Sequence, residues 1–122
     1  MSKSILVVDD NQIVLRIFEC SLQPLGYNVE LVTSAQGALN SIQLKIPDLI
    51  FADINMPGMD GITMIEEIRK VQGAAGIPII MCTTESQIAV KQNARKVGAN
   101  GWIQKPFDSD KILKMVQEVL DN

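Results

Sequence analysis

Five short β-rich runs, each followed by a stretch with helical spacing, constrain this chain more than any other feature. They are Ile5 to Val8, Asn28 to Val32, Leu49 to Ala52, Ile79 to Cys82 and Gly101 to Gln104. Ile5-Leu6-Val7-Val8 and Ile79-Ile80-Met81-Cys82 are apolar at every position, so both faces of those strands need cover, as in parallel strands flanked by helices on both sides. Strand and helix alternating five times imply an open parallel α/β sheet with right-handed crossovers. The fifth run differs: Trp102 and Gln104 alternate with Ile103 and Lys105, which suits an edge strand.

The intervening segments carry helical stripes. The clearest is Ile112, Leu113, Val116, Val119 and Leu120, opposite Lys111, Lys114 and Glu118. Ile13, Val14 and Ile17, then Ile62, Ile65 and Ile68, then Val90, Ala94 and Val97 repeat it less cleanly. Asn11, Ser34 and Asp108 are suited to N-caps, and Pro24-Leu25-Gly26, Gly73-Ala74-Ala75-Gly76 and Gly98 to helix ends.

A chain of 122 residues fits one domain, spanning 1–122 with no output domain expected, and buries roughly two thirds of its unfolded surface. The composition, 47% hydrophobic and 20% charged, is globular. No apolar run approaches the ~20 residues of a membrane helix. The run after Met1-Ser2-Lys3-Ser4 stops at two aspartates, short of a signal-peptide core, so a cytoplasmic location is expected. Cys20 and Cys82 lie in apolar surroundings without metal spacing and are expected to be buried, reduced thiols. The net charge of −3 argues against non-specific nucleic-acid binding. Residues 1–90 carry 5 Lys/Arg against 10 Asp/Glu and residues 91–122 carry 6 against 4, so the basic character lies near the end.

Polar residues fall where a buried sheet would not choose them: Asp9 and Asp10 after the first strand, Asp53 after the third, Thr83 after the fourth and Lys105 after the fifth. All sit at the carboxyl edge, where open α/β sheets bind ligands, and the flavodoxin-like order 2-1-3-4-5 puts the switch point between strands 1 and 3. Three converging carboxylates either take up protons or bind a cation. Two or three of them with a backbone carbonyl suit Mg²⁺ completed by phosphate oxygens. Thr83 and Lys105 would supply a hydroxyl and an ammonium to such a phosphate. The Asp53 carboxylate is then a nucleophile able to form an acyl phosphate, with positioning and charge neutralisation supplying most of the catalysis.

Four segments taken in order resemble the receiver domains of two-component signalling, and among them the single-domain CheY-type chemotaxis regulators. They are Val7-Val8-Asp9-Asp10, Asp53-Ile54-Asn55-Met56-Pro57-Gly58-Met59-Asp60-Gly61, Met81-Cys82-Thr83-Thr84-Glu85 and Gly98-Ala99-Asn100-Gly101-Trp102-Ile103-Gln104-Lys105-Pro106-Phe107. The resemblance implies that Asp53 is the phosphoacceptor and that Asp10, Asp53 and the backbone carbonyl of Asn55 ligate Mg²⁺, with Asp9 assisting directly or through water. It further implies that Thr83 and Lys105 bind the phosphoryl oxygens, that Lys105-Pro106 is cis, that Trp102 is the switch aromatic coupled to Thr83, and that Asn55 and Glu85 tune dephosphorylation. The implied partners are a CheA-like sensor histidine kinase as donor, since a chain without histidine cannot be its own, and an output protein or peptide at the face of the fourth helix, fifth strand and fifth helix. The chain is expected to be a monomer that enters no membrane, binds no nucleic acid and is not a turnover enzyme.

Plainer readings exist for each residue. Asp9 and Asp10 suit a helix N-cap pair, the Asp53 segment a turn-rich loop, Thr83 an ordinary strand position, Lys105 a guard against edge pairing, and Trp102 simple packing. Lys91, Arg95, Lys96, Lys111 and Lys114 read as a solvated face. The residues in concert favour the switch over a phosphorylation-independent interaction module, a phosphorelay shuttle, a flavin carrier lacking its phosphate loop, or an aspartyl-phosphate hydrolase lacking DxD after the first strand.

Overall fold

A computed structural model describes residues 3–54, 56, 58–84 and 88–120, with the side chains of residues 88–91 outside the description. The elements run β1 (Ser4–Val8), α1 (Gln12–Leu22), β2 (Asn28–Val32), α2 (Ala35–Leu44), β3 (Leu49–Asp53), α3 (Gly61–Lys70), β4 (Ile79–Thr83), α4 (Ile88–Lys96), β5 (Gly101–Gln104) and α5 (Ser109–Leu120), with a short 3-10 turn at Gln23–Leu25. All strand pairs are parallel, in the order β2-β1-β3-β4-β5, which is the flavodoxin-like topology expected.

The apolar runs divide between the two faces of the sheet because successive strand side chains point to opposite sides. Leu6, Val8, Ile50, Ala52, Ile79 and Met81 face α2, α3 and α4, where Ala38, Ile42, Met64, Ile65, Ile68 and Ala94 cover them. Ile5, Val7, Leu49, Phe51, Ile80, Cys82 and Ile103 face α1 and α5, beneath Leu15, Phe18, Leu22, Ile112 and Val116. Phe18 packs against Phe51 at 4.8 Å and Phe107 at 5.3 Å between ring centroids. Every residue of β3 and β4 is buried, whereas the edge strands β2 and β5 are only partly covered.

Asn11, Ser34 and Asp108 cap their helices as expected, accepting from Ile13 and Val14, from Gly37 and from Lys111 respectively. Asp60 is a fourth cap, accepting from the Thr63 N–H. An aspartate just ahead of an apolar-periodic segment is the signal that marks it. Of the expected stripes, those of α3 and α5 hold. In α4 Ala94 is buried and Val97 half-buried, while the Val90 side chain lies outside the described residues.

Three expectations are corrected. In α1 the fully buried stripe is Leu15, Phe18 and Leu22; Val14 and Ile17 are half-buried flanks, and Ile13 is 72% exposed. The segment is apolar in two helical phases, and the phase that can reach Phe51 prevails. Cys20 is exposed rather than buried, because the same rotation places it on the outer face, while Cys82 is buried. The helix end expected around Gly73 to Gly76 comes earlier, since α3 stops at Lys70 and Val71 is already extended.

Gly61, the first residue of α3, is buried against the strand end it follows. A Cβ there would lie 2.6 Å from the Ile54 Cα and 2.9 Å from the Asp53 carbonyl oxygen, both backbone atoms that cannot swing aside. Gly61→Ala should therefore cost about 3 kcal/mol, as overpacking does. The check is urea unfolding: the midpoint falls at an unchanged slope.

Candidate phosphoacceptor site

The site is built by the parallel register of the central strands. Val8 pairs with Ala52, and Ala52 and Asp53 pair with Met81 and Cys82, so residues that end three different strands emerge side by side at the carboxyl edge. The Asp9 N–H donates to the Val32 carbonyl at 3.1 Å, Ile54 N–H to Cys82 O at 3.1 Å, and Lys105 N–H to Thr83 O at 2.8 Å. Each functional residue is thus held by the ladder itself or by one bond beyond it.

Asp9, Asp53 and Thr83 are buried, an unusual state for these polar side chains. The Lys105 ammonium lies 2.9 Å from Asp9 Oδ2 and 3.4 Å from Asp53 Oδ1, bridging strands 1, 3 and 5. Asp9 Oδ1 accepts the Asn11 N–H at 2.9 Å, which turns the chain from β1 into α1. The plain reading of Asp9 as a local turn residue is therefore also true, but that bond occupies only one of its oxygens. Asp10 is exposed.

One oxygen from each of Asp9, Asp10 and Asp53 lies within 4.8 Å of the others. Three formal negative charges at that spacing face a single ammonium, leaving two unbalanced. Burial lowers the affinity of Lys105 for its proton, but the hydrogen bond it donates to Asp9 and the charges of Asp53 and Asp9 more than offset this, and its pKa is raised above the ordinary lysine value. Lys105 thus stays protonated through the neutral range. Burial also pushes the Cys82 thiol far up, so it takes no part as a thiolate. Lys105-Pro106 is cis, as the resemblance implied.

Asn55 and Glu85, the two positions expected to tune dephosphorylation, lie outside the described residues, as does the Asn55 carbonyl expected to ligate the metal. Trp102 is half-buried on β5, opposite Met81. Sequence reasoning passed over Arg69. This guanidinium donates to Ala74 O at 2.9 Å, Ala75 O at 3.1 Å, Asn100 Oδ1 at 3.0 Å and Gly98 O, clamping the α3–β4 loop to the α4–β5 turn. A lone arginine at the end of an amphipathic helix carries no sequence mark of such a role.

The family model for the response regulator receiver domain matches residues 5–117. The chain therefore belongs to the response-regulator receiver-domain family. It is similar to the chemotaxis protein CheY4 of Vibrio cholerae, with 36% identity, a TM-score of 0.95, and 98% of this chain and 100% of that one covered. It is also similar to the receiver domain of the sensor histidine kinase PA1611 from Pseudomonas aeruginosa, with 29% identity, a TM-score of 0.89 and 100% of both chains covered. That structure has a magnesium ion coordinated in its active-site cleft. Among curated relatives, the probable transcriptional regulator ycf27 of Cyanophora paradoxa is 35% identical over 97% of this chain and 48% of its own length. ZraR of Salmonella typhimurium is 36% identical over 95% and 26%. The chain thus spans about half or less of the length of these relatives.

The charge imbalance has opposite consequences for two substitutions in metal-free buffer. Asp10→Asn, which removes a repelling charge, should raise stability by about 1 kcal/mol, a few degrees in Tm for a domain of this size. Lys105→Met should lower it by about 2 kcal/mol, as loss of a hydrogen bond to a charged, part-buried partner does. Calorimetry in EDTA checks both signs.

Proposed function

We propose that this protein is a receiver switch of the single-domain kind, which takes a phosphoryl group on Asp53 from a CheA-like sensor histidine kinase in the cytoplasm. It then acts as a monomer through the face of α4, β5 and α5 on a protein partner, in chemotaxis-type signalling. The observation that carries the reading is the convergence of Asp9 and Asp53 on the Lys105 ammonium. No helix among the described residues is long and apolar enough to cross a membrane. Similarity to CheY4 over the whole of that chain supports the single-domain form.

Asp9, Asp10 and Asp53 fit a divalent ion by donor chemistry: hard oxygen donors, closely spaced, with two uncompensated charges. Bound Mg²⁺, with the Asn55 carbonyl completing its protein ligands, would supply neutralisation of the phosphoryl oxygens. A carboxylate oxygen of Asp53 attacks phosphorus; the O–P bond forms as the P–N bond of the donor phosphohistidine breaks, and the electron pair leaves with the donor imidazole. Lys105 and Thr83 would hold the transferred phosphoryl oxygens. Two charge-assisted bonds of about 1.5–3 kcal/mol each approach the ~5.5 kcal/mol that turns a 1:99 balance into 99:1. The protein catalyses its own modification and is no turnover enzyme.

A second reading is a receiver that serves a larger regulator, favoured by relatives such as ycf27, of which this chain spans 48%. A third is a shuttle handing phosphate to a second histidine protein. Their shared chemistry is the Asp53 adduct, so that is tested first. With Mg²⁺ and acetyl phosphate the intact mass should rise by one phosphoryl group and the Trp102 emission should change. Both responses should vanish in Asp53→Asn and in EDTA. An adduct elsewhere, or none, overturns the assignment.

The lifetime of the adduct separates the readings. With Asn55 and Glu85 at the tuning positions, the phosphoryl group should leave within seconds to minutes in the absence of any phosphatase, followed by mass or fluorescence after donor removal. Persistence for many hours would favour the shuttle.

A further inference from the structure

Arg95 is exposed on the basic end of α4, yet it also has a specific partner. Its guanidinium carbon lies 5.1 Å from the centroid of the Trp102 ring, inside the ~6 Å at which a cation is attracted to an indole face. Among the described residues no carboxylate lies at ion-pair distance from Arg95. Trp102, like Val97 and Ala99, is a partly buried member of the apolar cluster on the α2, α3 and α4 side of the sheet, to which Ala94 also belongs.

The backbone beneath this pair is fixed. Gly98 N–H donates to Arg95 O at 3.1 Å, Ala99 N–H to Ala94 O at 2.9 Å and Asn100 N–H to Ile79 O at 2.8 Å. Asn100 Oδ1 accepts both the Ile79 N–H at 2.8 Å and the Arg69 guanidinium. Gly98 has φ +112°, and a Cβ there would lie 2.7 Å from Arg69 Nε, so this turn tolerates little else. The end of α4 and the start of β5 are therefore held at a set separation, with Arg95 on one side and Trp102 on the other. The negative end of the α4 dipole favours a cation in that last turn.

We propose that Arg95 is a latch on Trp102: the cation–π contact holds the indole at the rim of α4 and β5 in the resting protein and sets how easily that face rearranges. The second half of this statement rests on Asp53 as phosphoacceptor; the first stands on the geometry alone. Any movement of the ring away from the rim breaks the contact, while the exposed, weakly hydrated guanidinium is left in solvent at small cost. Loss of the latch therefore favours the rearranged state, and by linkage a smaller phosphoryl supply reaches the same response. One such contact at an exposed site corresponds to a roughly two- to five-fold change in that balance.

The test compares Arg95→Gln, Arg95→Lys and Lys96→Gln, the last removing the same charge from the neighbouring residue. Trp102 is the single tryptophan, so its emission and its indole N–H resonance report on this site alone. The acetyl phosphate concentration giving half the Trp102 response should fall about two- to five-fold in Arg95→Gln, recover partly in Arg95→Lys and stay at the parent value in Lys96→Gln. In the unphosphorylated protein the indole N–H resonance should shift in Arg95→Gln and stay fixed in Lys96→Gln. An unchanged half-response in Arg95→Gln, with the Asp53 adduct forming normally by mass, overturns the latch. If the parent protein forms no adduct, the phosphoacceptor reading has failed instead. The latch is then decided on the resting protein, where identical indole resonances in Arg95→Gln and Lys96→Gln overturn it.

Discussion

The parallel pairing of β1 with β3 is the constraint on which the rest of this molecule depends. It matches Ile5 with Leu49 through to Val8 with Ala52, and both strands are covered by helices on each face. Inside that cover a carboxylate has no place, so the first aspartates appear where the strands end. Because both ladders end at the same edge, Asp9 and Asp53 cannot avoid each other. A register slip of one residue would reverse the faces of every apolar side chain; burial of the core therefore fixes the separation of the charges.

The charge cluster opposes folding, and the core absorbs the cost. Lys105 relieves part of the repulsion, and its own position follows from β5 pairing with β4, where Thr83 meets Gln104 and the next amide bonds back to the Thr83 carbonyl. A site that is electrostatically incomplete in this way suits a switch, because whatever enters it, cation or phosphoryl group, changes the balance of forces on strands 3, 4 and 5 together. A fully compensated site would have little left to transmit.

The far end of the same sheet is built on the opposite plan. Arg69 meets four carbonyl-type oxygens, Gly98 holds a left-handed φ of +112° close to the Arg69 side chain, and Asn100 ties β4 to the α4–β5 turn. Burial lowers the Arg69 pKa, yet the guanidinium remains charged because its ordinary value is so high. The two edges of the sheet thus divide the work: the carboxyl edge holds charge awaiting a partner, and the amino edge of β4 and β5 holds a satisfied clamp.

Much of this was legible in the sequence. The five strands, their parallel order, the caps at Asn11, Ser34 and Asp108, and the set Asp9, Asp10, Asp53, Thr83 and Lys105 all follow from local pattern, because strand periodicity, capping and a polar residue at the end of an apolar run are properties of a few consecutive residues. What consecutive residues cannot encode is a choice between two locally equal options, or a contact between distant side chains. Which of two apolar phases α1 buries was decided by Phe51 lying beneath Phe18, and the exposure of Ile13 and Cys20 followed. The Arg69 clamp and the seat of Arg95 over Trp102 likewise exist only once α3, α4 and β5 are packed together. The sequence by itself determined the order of elements and the chemistry at their ends. The tertiary structure alone decided which helix face is inside and which cation meets which ring, since those depend on shapes and distances across the sheet.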